Sequence, residues 1–295
     1  MKLYHVGISG GKDSTALLLW MVKESGIPED QLRVTFNYIG NDADETVEHV
    51  RMLSRRVLSY DAIEFLYPPL DFYELARKKN RFPGAKSRFC TQELKMKPCK
   101  AYIDNLLRAG YDVIAVNGIR ADESEKRSKL GEWGSPLESY YGIPEWRPLI
   151  NWKIEDVWLI HKRYGIPPNP LYAKGAQRVG CLPCIMSRKS EIRMIAREFP
   201  ERIEFLARNE FMGKGGFHGF RPRKSVPQAM CSQTYFSEKQ QKEFKVPSIY
   251  DAVAWSRTKD HKKDNTQFAM DFWFDDPNLN EFDAHVCPST MGACE

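Results

Sequence analysis

At 295 residues, 42% apolar and 28% charged, the chain has the composition of a globular protein with a sizeable core, which excludes a disordered or fibrous class. Its longest apolar run, Ala16 to Val22, is too short to cross a bilayer, and its first residues lack the pattern of a secretory signal, so a cytoplasmic location with no membrane partner is expected. In that compartment seven cysteines read as ligands or nucleophiles rather than disulfides, and a net charge of +5 suits an anionic partner.

A short apolar strand from Leu3 runs into Ser9-Gly10-Gly11-Lys12-Asp13-Ser14, and a helix follows at once. Two glycines let the backbone turn sharply and bring its N–H groups to an anion. The new helix aims its unpaired N–H groups and positive end at the same point, which makes a phosphate cradle. After Gly26-Ile-Pro28, Leu32 to Ile39 reads as a buried strand. It ends in Gly40-Asn-Asp42-Ala-Asp44-Glu45-Thr46, and a helix follows with Val47, Val50, Leu53 and Val57 at helical spacing. Asp42 or Asp44 is expected to cap that helix, and both stand at a strand's carboxyl end, where doubly wound sheets bind ligands.

Ala62 to Tyr67 is the third strand, closed by Pro68-Pro69. The basic loop from Lys78 to Thr91, which by itself reads as wet surface, leads to a helix through about Arg108 carrying Ile103, Leu106 and Leu107 inward. Tyr111 to Asn117 is a parallel-type strand that delivers Gly118-Ile-Arg120 and then Arg127, whose planar forks suit phosphate or sulfate. Lys129 to Pro144 reads as a surface excursion. Asn151 is expected to cap a helix of Ile154, Val157, Trp158 and His161. Lys189 to Phe211 is amphipathic and broken at Pro200. The stretch from Gly213 to Lys224 is basic and aromatic. It reads either as a linker or as a path for a nucleic-acid backbone with Phe217 or Phe220 stacking on bases.

Cys181-x-x-Cys184 spaces two thiolates for one metal or cluster, outside the strand-and-helix context of a redox CxxC. An all-sulfur set favours [4Fe–4S] or Zn²⁺ over a catalytic zinc, and Cys90, Cys99, Cys231, Cys287 and Cys294 are the candidates to complete it.

Five segments stand in the order found in one family. SGGKDS resembles the pyrophosphate loop of the adenine nucleotide α-hydrolases, and Gly40 to Thr46 resembles the G-x-[DE]-x-x-E-T segment of sulfonucleotide reductases. Arg88 to Pro98 fits R-x-C-T-x-x-L-K-x-x-P, Gly118 to Arg127 fits G-x-R-x-x-E-S-x-x-R, and Pro148 to Cys184 carries P-L-x-x-W, P-L-Y-x-x-G and G-C-x-x-C. Over residues 3–184 the chain thus resembles the phosphoadenylylsulfate reductase and PP-loop ATP pyrophosphatase family, closest to the ATP pyrophosphatase of DNA phosphorothioation systems. The resemblance implies an α/β, Rossmann-like, mostly parallel sheet with helices on both faces over 1–175. A smaller, mainly helical, cysteine-bearing region would cover 176–295.

It further implies that Ser9, Gly10, Gly11, Lys12, Asp13 and Ser14 bind the phosphates of ATP or a sulfonucleotide, with Gly40, Asp42 and Gly118 at the nucleotide's edge. Lys12 would neutralise charge, Asp13 would place Mg²⁺ or shape the loop, and Arg120 and Arg127 would grip substrate phosphate. Cys90 would be a third ligand beside Cys181 and Cys184, with Cys287 or Cys294 as the fourth, since Thr91 stands where relatives carry an adjacent cysteine. The expected activity is ATP-dependent adenylylation of an acceptor, a DNA or RNA, with a sulfur donor such as a cysteine desulfurase. The alternatives are a sulfonucleotide reductase, with Cys294 as nucleophile and thioredoxin as partner, and a nucleotide-binding module without catalysis.

Overall fold

A computed structural model describes residues 1–59, 63–137, 139–213, 216–221, 225–237 and 240–258. From the amino end the chain forms β1 (Lys2–Ile8), α1 (Lys12–Lys23), β2 (Leu32–Asn37), α2 (Asp44–Val57), β3 (Ile63–Leu66) and α3 (Phe72–Lys78). One helical stretch follows, made of α4 (Phe89–Thr91), a π turn at Gln92–Met96 and α5 (Lys97–Arg108). Then come β4 (Asp112–Val116), α6 (Glu125–Ser128), β5 (Trp133–Gly134), β6 (Glu145–Trp146) and α7 (Ile154–Arg163).

The six strands lie in the order β3-β2-β1-β4-β6-β5, parallel throughout except for β5 against β6. Val6 sits opposite both Val34 and Val116, so the centre of the sheet is a β-branched ladder buried on both faces. On one face Leu17, Leu18, Val50, Leu53 and Val157 pack against it; on the other Ile103 covers Val113 and Ala115. The chain runs from β1 to β2 and β3 on one side and then crosses back from β3 to β4 on the other side of β1, and the crevice beyond the strands' carboxyl ends opens at that reversal.

Residues beyond 188 form α8 (Lys189–Glu198), α9 (Pro200–Asn209), the hairpin of β7 (Phe211–Gly213) with β8 (Gly216–His218), the hairpin of β9 (Gln233–Ser237) with β10 (Lys242–Val246), and α10 (Ile249–Ser256). The helices carry the expected break at Pro200, with two antiparallel hairpins beside them. Ile192, Ile195, Phe199, Leu206 and Ile249 share one apolar cluster with Phe72, Phe82, Phe89 and Leu94. Among the described residues no helix is long and apolar enough to cross a membrane.

Several local expectations are corrected. Neither Asp42 nor Asp44 caps α2: Ala43 is the boundary residue, and the Asp42 carboxylate instead accepts from Ile39 N at 2.8 Å, closing the turn before it. Asn151 does not cap α7, whose start is fixed by the Asp156 carboxylate accepting from Lys153 N at 2.7 Å. Leu107 faces solvent at 38% exposure, and the 129–144 excursion contributes an edge strand. Phe220 cannot stack on bases, because it is buried between Phe72 and Phe82. Arg221 is likewise turned inward, donating to the carbonyls of Ile185 and Ser187. Lys214, Arg223, Lys224, Cys287, Cys294 and the side chain of Phe217 lie outside the described residues.

Candidate nucleotide and cysteine site

At the end of β1 the backbone of Gly10 turns left-handed, with φ +70°, and a Cβ there would stand 3.0 Å from Thr46 Cγ2. Gly11 begins α1 with no side chain capping it. The turn is closed by Ser14, whose hydroxyl donates to Gly11 O at 2.9 Å and accepts from Ser9 N at 3.2 Å. Tyr172 OH accepts from Lys12 N at 3.1 Å, and His161 Nε2 lies 2.9 Å from Lys12 O. Asn169 Nδ2 donates to Gly10 O and to Thr46 Oγ1, both at 3.2 Å. These three buried side chains, from the segment after α7 and from α7 itself, fix the loop from behind.

Both oxygens of Asp13 are held by cations: Lys12 Nζ donates to Oδ2 at 2.8 Å and Arg120 Nε to Oδ1 at 2.7 Å. Burial pushes the Asp13 carboxyl up, but the two cations outweigh it and hold it below the usual carboxylate range. Arg120 is 4% exposed and also donates to Asp122. Its fork therefore braces Asp13, which favours the loop-shaping role for that carboxylate over Mg²⁺ placement. Arg127 pairs with Glu123 on the exposed α6. Gly118 lets the end of β4 approach α1, since a Cβ there would stand 3.1 Å from Asp13 O, and Gly40 turns β2 past Asp71.

Two cavities adjoin, the first of them at the carboxyl ends of the strands. The first, about 170 Å³, is lined by Ser9, His5, Asn37, Asp42, Asn117 and Tyr141, with Cys99 on its wall. The second, about 130 Å³, is lined by Arg178, Cys181, Cys184, Ser187 and Glu191. Lys95 and Gly180 line both. Lys95 stands on the π turn, a device that re-aims side chains and recurs at functional sites. Nearby acidic groups, Cys181 first and then Asp42, Cys184 and Cys90, hold the Lys95 ammonium above its ordinary pKa despite burial.

A hydrogen bond from the Cys181 thiol brings Cys184 down to about 6, and the same bond, with burial, pushes Cys181 well up. Burial raises Cys90, which also feels Cys184. The Cys181–Cys184 loop is tied to the turn after β2: Leu182 N donates to Asn41 O at 2.8 Å, and Asn41 Nδ2 to Pro183 O at 2.9 Å. Among the described residues, no three His, Cys, Asp or Glu side chains are gathered closely enough to hold a metal ion.

The family model described as phosphoadenosine phosphosulfate reductase domain matches residues 4–187. The chain belongs to that family. It is 33% identical over 246 residues to the uncharacterized 37.8 kDa protein in the gpa 5' region of Escherichia phage 186, covering 68% of this chain and 72% of that protein. It is 39% identical over 83 residues to the adenosine 5'-phosphosulfate reductase of Burkholderia cepacia, covering 28% of this chain and 32% of that enzyme. The phosphoadenylyl-sulfate reductase of Candida auris, solved as a phosphate complex, aligns with a TM-score of 0.47 at 18% identity, over 62% of this chain and 83% of that chain.

For this member of the phosphoadenosine phosphosulfate reductase family, the structure joins Asp13 of the loop to Arg120, and sets Lys95 within electrostatic reach of Asp42, Cys90, Cys181 and Cys184. Arg127 lines neither cavity. Sequence reasoning treated Lys95 as a spacing marker and passed over Asn41 and Asn169. The signal lay in the motifs: Lys95 is the lysine of R-x-C-T-x-x-L-K, and Asn169 directly precedes P-L-Y.

Proposed function

We propose that the protein is an ATP-dependent enzyme of sulfur transfer. ATP would bind with its phosphates on Ser9 to Ser14 and its nucleoside in the first cavity. An acceptor oxygen takes the adenylyl group with release of pyrophosphate, and sulfur then displaces AMP. The observation that carries this reading is the shared wall of Lys95 and Gly180, which joins a phosphate-type loop to a pair of cysteines. Backbone N–H groups and Lys12 would stabilise the charge that develops on the leaving pyrophosphate. In this reading the sulfur comes from a donor such as a cysteine desulfurase and is delivered to the cavity that Cys181 and Cys184 line.

The test compares products. Pyrophosphate is expected from ATP, falling at least about 100-fold with Lys12→Ala, on the scale of one lost charge stabiliser. Sulfite from adenylylsulfate in the presence of thioredoxin, with no pyrophosphate from ATP, would instead establish the reductase reading.

Cys90, Cys181 and Cys184 are the residues that would hold a [4Fe–4S] cluster or Zn²⁺. A cluster would supply an iron able to carry a sulfur atom. The donor chemistry suits such a centre, with Lys95 balancing thiolate charge, but the spacing in this structure does not close a ligand set, so no step is routed through it. Iron, zinc and sulfide counted per chain after anaerobic purification check this: loss in Cys181→Ser and Cys184→Ser is expected, and full content in both removes the pair as ligands.

A further inference from the structure

We infer that the turn from Arg77 to Arg88 is a docking surface for the phosphodiester backbone of a nucleic acid, which it leads to the cysteine cavity. The inference takes its purpose from the sulfur-transfer reading; the binding itself stands on the surface alone. Residues 77–92 include Arg77, Lys78, Lys79, Arg81, Lys86 and Arg88 and no Asp or Glu, so this run carries +6 in a chain whose net charge is +5. All six side chains are exposed.

Exposed charge is often only solvated surface. Three features set this run apart. First, it is anchored from beneath. Phe82 and Phe89 are each 7% exposed and belong to the core cluster, Phe82 against Phe72, Phe211 and Phe220. Gly84 and Ser87 exchange backbone hydrogen bonds of 3.2 and 3.0 Å, and Arg81 donates to Ser87 Oγ at 2.8 Å while lying over the Phe89 ring. The cations thus sit on a preformed turn, which lowers the ordering cost of binding.

Second, none of the large exposed apolar side chains among the described residues falls between 77 and 92. A protein partner would ask for an apolar core at the interface; a row of cations without one suits phosphates. Third, the run leads straight to Cys90 and Lys95; Lys95 lines the second cavity with Cys181 and Cys184, and Arg178 stands half-exposed on the same lining. A strand held on the turn would present its oxygens beside the proposed chemistry.

The experiment is fluorescence anisotropy with labelled single-stranded DNA, single-stranded RNA and duplex DNA across a salt series. It compares the full chain with its Lys78→Gln/Lys86→Gln/Arg88→Gln variant. The wild type is expected to bind at least one of the three with strong salt dependence. The variant is expected to lose about 0.7–0.9 of log–log slope per phosphate contact removed, and at least about tenfold in affinity, with ATP affinity unchanged. No salt-dependent binding by the wild type, an unchanged slope in the variant, or equal competition by polyglutamate would overturn the inference. Binding that behaves as expected in a protein that releases no pyrophosphate from ATP would leave the docking surface standing and defeat the reading of the site.

Discussion

Asp13 and Arg120 form an ion pair in which a 4%-exposed guanidinium gives two of its donors to carboxylates. Removing one partner of such a pair strands the other, so the pair is better read as a brace than as a free anion hook. What it braces is the turn at Gly10, and there the residue-scale prediction is sharpest. An L side chain at φ +70° costs about 1–2 kcal/mol, and a Cβ at Gly10 would also press Thr46 and Val50. Gly26 has nearly the same φ, +73°, with nothing within 4 Å of the added Cβ. Gly10→Ala and Gly26→Ala are therefore both expected to lose stability on denaturant unfolding. Gly10→Ala alone should weaken ATP binding, by about tenfold, the worth of one charge-assisted bond. Equal ATP affinity in the two variants would remove the phosphate role of the loop.

At the scale of elements, the strands and the helices after them were legible because their signals are local. β1, β2 and β4 are runs of β-branched and apolar residues, and SGGKDS announces the turn by its own composition. The buttresses were not legible in the same way. Tyr172 meets Lys12 across 160 residues, and Asn41 meets Pro183 across 142, contacts that no local pattern encodes. Lys95 was hidden for a different reason. A helix written from Ile103, Leu106 and Leu107 runs smoothly up to Arg108, whereas one π turn ahead of α5 sets Lys95 on the wall that Cys181 and Cys184 share. The caps failed for a third reason: Asp42 and Asn151 have the right chemistry for capping, but neighbouring backbone groups compete for them or define the helix start elsewhere. Phe220 shows how composition misleads, since a glycine-rich basic stretch carries an aromatic anchor that the core takes in.

For the molecule as a whole, the segments after residue 188 share one apolar cluster with the earlier part of the chain, and one carboxylate ties three of their own elements to each other. Glu210, at the end of α9, accepts from Phe220 N at 2.8 Å beside the first hairpin and from Ile249 N at 3.0 Å at the start of α10. Burial pushes its pKa from the usual 4.5 to about 7, against the pull of those two N–H donors. The sign follows from proton counting. Between pH 4.5 and 7 the folded chain keeps a proton that the unfolded chain has released, so the stability contributed by this group is full below about 4.5 and is lost as pH rises through about 7. The span corresponds to at most about 3 kcal/mol at 1.36 kcal/mol per pKa unit. Glu210→Gln removes the titration while keeping the size of the side chain, and other titrating groups cancel when the two proteins are compared. The stability of the wild type relative to this variant, from denaturant unfolding, is therefore expected to be greater at pH 5 than at pH 8. A relative stability that is flat across that interval, or that rises with pH, would mean that Glu210 is ionised in the fold and joins α9, the hairpin and α10 as a charged acceptor.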